Sequence, residues 1–347
     1  MSEPIRPNCP ECTDPTERSS GFDRRDFFRV LGSGAALAAA SSIAPRLLAE
    51  PAPAQKAAKP AEALIQELHS TLSESQKAQV VLPFNHGPKS GLPTRMGMYN
   101  SAVMGKEIGK IYTKPQTELI ERIVKATVSG DDGYRQISRG GTWDASKSFD
   151  RCGALIFGDP TDGKKYAWLF TGHHLTIRAD GNFKDGVAWG GPMYYGHSPN
   201  GYSNGNVFYY QTKKVLEVFD VLDEKQRAKA IVVGSPGEQA DSVKFRKAGQ
   251  PNPGIALADL SSDQKGLVEE VMRTILSPYR KEDADEVMSI VKASGGMDKV
   301  HLAFYRDKGA KEEDRWHFWR LEGPGFVWNY RVLPHVHCYV NIAVQKA

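Results

Sequence analysis

The segment His335–Val344, HVHCYVNIAV, alternates with a period of two. One set of positions holds Val336, Cys338, Val340, Ile342 and Val344, and the other holds His335, His337, Tyr339, Asn341 and Ala343. Successive side chains of a strand point to opposite faces. The first set therefore reads as the core side of a sheet, and the second as the polar and aromatic wall of a pocket. The same period puts both imidazoles on one face, about 7 Å apart along the strand, within reach of one ion or one anionic ligand. This one stretch predicts a sheet at the centre of the fold and a place on it for chemistry.

Working outward, RCGALIFGDP, KYAWLFTG and HLTIRADG in the middle of the chain are short apolar or alternating runs punctuated by Gly, Asp and Pro. KVHLAFYRDKG and DRWHFWRLEGPGFVWNYR precede the last strand in the same style. Such punctuation is that of antiparallel strands, and Asp-Pro with Asp-Gly in GDPTDGKKY marks a hairpin turn. GGPMYYGHSPNGYSNGNVFYY, residues 190–210, shows no period and reads as an ordered, site-lining loop. Four other segments, LSESQKAQVV, YTKPQTELIERIV, LDEKQRAKAIVV and LSSDQKGLVEEVM, share a Ser, Thr or Asp followed three residues later by Gln. That is a capping box: the first side chain accepts from a free backbone N–H, and the Gln reaches back to the cap. Helices are expected to start after Ser73, Thr113, Asp223 and Ser261. The four do not follow a fixed period, so no solenoid is expected. Together these features predict an α+β fold, a central antiparallel sheet with capped helices packed around it.

The N-terminus carries DRRDFFRVLGSGAALAAASSIA, with Arg24 and Arg25 paired ahead of a moderately apolar Gly/Ala run. The run is too short and too weakly apolar for a stable span, and it resembles a twin-arginine export signal. Residues 1–54 are therefore expected to be signal and cleavage region, 55–69 a linker, and 70–347 a single α+β domain. The twin-arginine machinery would be a partner, the mature chain would have no stable transmembrane span, and it would be periplasmic or secreted. That route carries folded proteins, often already loaded with cofactors. Cys9 and Cys12 precede the signal, whereas Cys152 and Cys338 fall in apolar strands and read as buried thiols, with a disulfide between them as the alternative. The net charge of +4 on 347 residues, without a basic run, gives no argument for nucleic acid.

Four of the nine histidines lie in two segments, FTGHHLTIRAD and the C-terminal strand. In a regular strand His174 would share a face with Thr176 and Arg178, and His173 would share one with Leu175 and Ile177. Only one of the doublet would then join His335 and His337, unless Gly172 disturbs the strand and leaves both accessible. His173, His174, His335 and His337 are thus the candidate metal ligands. His174, Arg178 and Arg320 are the candidate catalytic groups, the arginines as grips for an anionic moiety. His86, Arg95, Tyr99, His197 and His317 are weaker candidates. No GxSxG, P-loop or HExxH motif occurs.

The order of these motifs resembles a bacterial family catalogued as domain of unknown function 3500, over roughly residues 70–347. Its Gly-His-His-Leu-Ser is matched by Gly172, His173, His174, Leu175 and Thr176. Its Arg-x-x-Gly-Pro strand is matched by Arg320, Gly323 and Pro324, and its closing Asn-His-Ile-His by Pro334, His335, Val336 and His337. Asn329 stands where the family usually has an acid, and Asn341 where it often has an Arg. The resemblance implies the domain extent and the importance of the histidines and leaves the reaction open.

Three readings follow. The first is a metal-dependent enzyme, hydrolytic or redox, holding a divalent zinc, copper or iron through imidazoles. The second is a metal-free enzyme using a histidine as acid or base. The third is a non-catalytic envelope protein binding glycan, peptide or another small molecule on Trp189, Tyr194, Tyr195, Tyr202, Tyr209 and Tyr210.

Overall fold

A computed structural model describes residues 61–87, 92–161, 164–181, 193–238, 245–246, 250–309 and 315–342. All lie in the compact unit Lys59–Ala347. The expected export signal, its two cysteines, linker residues 55–60 and Trp189 lie outside the described residues.

The helices are α1 Ala61–Thr71, α2 Glu74–Val80, α3 Ile108–Ile111, α4 Lys114–Thr127, α5 Gly130–Ser138, α6 Tyr209–Asp220, α7 Glu224–Ala230, α8 Ser262–Leu276 and α9 Lys281–Ala293. The strands are β1 Val81–Leu82, β2 Gly153–Gly158, β3 Tyr166–Gly172, β4 Leu175–Gly181, β5 Met193–His197, β6 Ile231–Val233, β7 Ile255–Ala256, β8 His301–Arg306, β9 Phe318–Gly323, β10 Phe326–Arg331 and β11 Val336–Ile342. They form one sheet in the order β1-β2-β3-β4-β5-β11-β10-β9-β8-β6, with β7 also on β8. All pairings are antiparallel except β1 with β2 and β6 with β8. The α+β architecture is as the sequence indicates. Among the described residues no helix is long and apolar enough to cross a membrane.

All four expected caps form. Ser73, Thr113, Asp223 and Ser261 each head a helix, and the backbone N–H of each donates to Oε1 of the Gln at the third helical position. The structure adds a use for those glutamines. Gln76 Nε2 donates to Gln116 Oε1 at 2.7 Å, and Gln264 Nε2 to Gln226 Oε1 at 2.8 Å. Each clasp ties a short helix to a long one at their N-termini. The arrangement repeats: α1-α2-β1, then α4-α5, then the meander β2-β3-β4-β5 is followed by α6-α7-β6, then α8-α9, then β8-β9-β10-β11. The two halves meet where β5 pairs with β11. Gln264→Ala breaks both a cap and a clasp and is expected to destabilise the protein by about 1–2 kcal/mol. An unchanged urea midpoint would contradict this.

The helices pack on one face of the sheet. Tyr195 bonds Gln211 and the Ile275 carbonyl there, and Tyr330 bonds Thr212. Val336, Cys338, Val340 and Ile342 join that core, as alternation indicates. Segments following β1 and β6 cover the opposite face. Tyr99 N–H donates to Thr176, Val103 N–H to Thr171, and Arg246 pairs with Glu322.

Three expectations are corrected. Residues 61–69 are not linker: they belong to α1, whose Ala61, Leu64, Ile65 and Leu68 are buried. Residues 190–210 are not one loop, because Met193–His197 is a central strand and α6 begins at Tyr209. Tyr194 and Tyr195 are therefore buried in the sheet rather than displayed for stacking. Cys152 and Cys338, by contrast, are buried free thiols as the sequence indicates, and burial pushes each up to about 12.

Candidate metal centre

The histidine doublet is not in a strand. It forms the two-residue turn between β3 and β4, closed by the Gly172–Leu175 pair. Alternation therefore does not separate the two rings. His174 has a left-handed backbone (φ 53), and its N–H donates to Asn100 Oδ1 at 2.6 Å. Such a conformation is uncommon for a residue with a Cβ and costs about 1–3 kcal/mol. Arg139, Trp143, Asp144 and Lys147 share it, all in the segment that faces this turn. Local strain is thus concentrated around His174.

The turn delivers His174 to the C-terminal strand. His335 Nε2 lies 3.1 Å from His174 Nε2 and 2.8 Å from His337 Nε2. The ring centroids form a nearly equilateral triangle with sides of 4.7, 4.8 and 4.6 Å. Two Zn–N bonds of about 2.0–2.1 Å at a tetrahedral angle would put their nitrogens about 3.3 Å apart. The two distances at His335 are already near that spacing, and this buried group can hold a metal ion. His337 fits because its cross-strand neighbour is Gly196. A Cβ there would stand 2.6 Å from the Val336 carbonyl and 3.0 Å from the His337 ring.

The opposite ring nitrogens explain the aim. His174 Nδ1 is 2.7 Å from Asp144 Oδ2, and His337 Nδ1 is 3.0 Å from Glu238 Oε2. A carboxylate acceptor places the proton on Nδ1, which leaves Nε2 as a bare lone pair turned inward. Burial, and for His335 the neighbouring His337 and His174, lowers the affinity of His335 for a proton far below the usual imidazole range. Burial and then Arg331 do the same for His337, and burial lowers His174 against the pull of Asp144. Each of these shifts favours the neutral ring, the form that metal ligation requires.

The carboxylates are themselves held. Arg139 pairs with Asp144 and donates through Nε to His197 Nε2 at 2.9 Å. Burial raises the Asp144 carboxyl, yet nearby His173, the hydrogen-bonded His174 and the Arg139 charge bring it well below the carboxylate range. Burial pushes Glu238 up to about 7 against the Arg331 guanidinium, which stands 2.6 Å away. Asn329 Nδ2 donates to Glu238 at 3.3 Å. Glu238→Ala removes the partner of His337 Nδ1 and is expected to weaken metal binding about 10–100-fold without abolishing it. Unchanged affinity in a chelator competition would contradict that.

His173 also reaches Asp144, with Nδ1 3.3 Å from Oδ2, and its ring lies 4.0 Å from that of His174. It lines an open cavity of about 310 Å³ with Asn100, Ser146 and Arg151. The two candidate arginines lie on β4 and β9. Arg178 is buried on β4, 3.1 Å from Asp180, with its Nη1 on the Arg95 carbonyl. Arg320 donates to Tyr339 Oη at 2.8 Å, in the cross-strand row next to that of His337. Register instead pairs Arg331 with His337. Asp144, Glu238, Arg331 and Arg139 are the site residues that sequence reasoning missed. Three of them lie outside regular strands, and only the glycine pair after Arg139 hinted at a special turn.

No curated protein and no solved structure matches the chain. A family model does, over residues 53–341, and the chain belongs to that family, described as a protein of unknown function (DUF3500).

Proposed function

We propose that this protein is a zinc-dependent hydrolase whose ligands are His174, His335 and His337. The convergence of three neutral Nε2 atoms with carboxylates behind two of the rings carries this reading. Three imidazoles and an open position form a catalytic zinc set, whereas non-haem iron sites add a carboxylate ligand. Here Asp144 and Glu238 serve the outer ring nitrogens instead. Zinc supplies a bound water that ionises near neutrality. In this reading His173, beside the open cavity and close to Asp144, would pass protons between that water and solvent.

Zinc at a hundred times its dissociation constant is expected to add about 2.7 kcal/mol to the unfolding free energy. A thermal midpoint unmoved by zinc would oppose the assignment, and a shift with copper or iron alone would move it to redox chemistry. We further propose that the chain is exported folded by the twin-arginine route. Arg24→Lys with Arg25→Lys is expected to hold it in the cytoplasm, and undiminished export would refute this.

A further inference from the structure

Arg331 is 6% exposed and is committed to three acceptors. Its Nη1 pairs with Glu238, and its Nε donates to the His335 carbonyl at 3.3 Å. Its Nη2 lies 3.3 Å from His335 Nε2. That last acceptor is the lone pair His335 offers to an ion, and one imidazole lone pair serves one partner. Once an ion takes it, the Nη2 hydrogens lose their acceptor while still directed at the coordination sphere. A buried guanidinium N–H without a partner is costly.

Charge points the same way. Arg331 and Arg139 are matched by Glu238 and Asp144. The double charge of a divalent ion then stands unanswered in a buried site, where uncompensated charge is most expensive. One ligand meets both needs: an anionic group with two oxygens, one for the ion and one for Nη2.

Resting on the zinc reading above, we propose that the site takes a carboxylate-bearing substrate. The carboxylate sits between the metal and Arg331, which is a specificity-determining residue. The fork geometry of a guanidinium suits this group, and the neutral amide of the same shape would place its N–H₂ against a donor or the ion.

The test uses the full-length protein loaded with cobalt(II), followed by visible absorption. Acetate is expected to shift the spectrum saturably, whereas acetamide leaves it in place. Arg331→Met is expected to weaken acetate binding at least about tenfold at unchanged cobalt stoichiometry, and Arg331→Lys to recover part of the loss. Equal responses to acetate and acetamide, or wild-type acetate affinity in Arg331→Met, would overturn the proposal. If Arg331→Met does not fold, the comparison of acetate with acetamide on the wild type decides alone. Wild-type protein that binds no cobalt would remove the metal reading and this proposal with it. Bound cobalt indifferent to acetate would remove only this proposal.

Discussion

Changing His335 and His337 together to alanine is expected to strip the protein of bound metal. The reason is quantitative. Four-ligand zinc sites bind with about 10–16 kcal/mol, or roughly 3 kcal/mol per ligand. Removing two of three imidazoles should therefore cost on the order of 6 kcal/mol, about four decades in dissociation constant. His174 and its Asp144 partner remain but offer a single nitrogen. The fold should survive, because the core face of β11 is Val336, Cys338, Val340 and Ile342, and neither histidine contributes to it. A chromophoric chelator competition together with circular dichroism separates the two effects. A native spectrum with full metal affinity would show that the imidazoles are packing and not ligands.

The second large effect concerns an arginine that sequence reasoning placed at the site. Arg178→Met is expected to destabilise the protein by about 3–5 kcal/mol and to leave its metal content unchanged. Arg178 and Asp180 are each 3% exposed and lie 3.1 Å apart on β4. Burial already pushes the Asp180 carboxyl up to about 6, with Arg178 pulling against it. Without the Arg178 guanidinium, only the Arg95 charge pulls against burial of the carboxylate, and its pKa rises further. A raised carboxyl gives stability that is kept at low pH and lost as pH climbs through the folded value. The deficit of the variant should therefore be smaller at pH 5 than at pH 8. Asp180→Leu added to Arg178→Met should recover most of the loss, because an apolar pair needs no compensation. Urea unfolding of the four proteins at two pH values tests this. A loss under about 1 kcal/mol, or lost metal in Arg178→Met, would return Arg178 to the site.

What was legible in the chain was what depends on near neighbours. A capping box is closed within four residues, so Ser73, Thr113, Asp223 and Ser261 announced their helices without knowledge of the fold. The alternation through β11 picked out its core face, because period two needs only the strand itself. The errors came where distant contacts decide. His173 and His174 lack the Asn or Gly that normally marks a two-residue hairpin, so the turn was hidden inside an apparent strand. Gly196 looked like loop punctuation, yet it is a strand residue kept small by the His337 ring. The Ala- and Lys-rich composition near residue 60 masked the apolar stripe Leu64, Ile65 and Leu68 of α1. Glu238 and Asp144 meet the histidines only through long-range register, and no local pattern encodes that.

The central claim is that His174, His335 and His337 hold one ion. Elemental analysis of tag-free protein, purified after native export, tests it most directly. The expected result is about one equivalent of a single transition metal per chain, with zinc the element found. Metal-free protein that takes up no zinc, copper or iron on reconstitution would contradict the account.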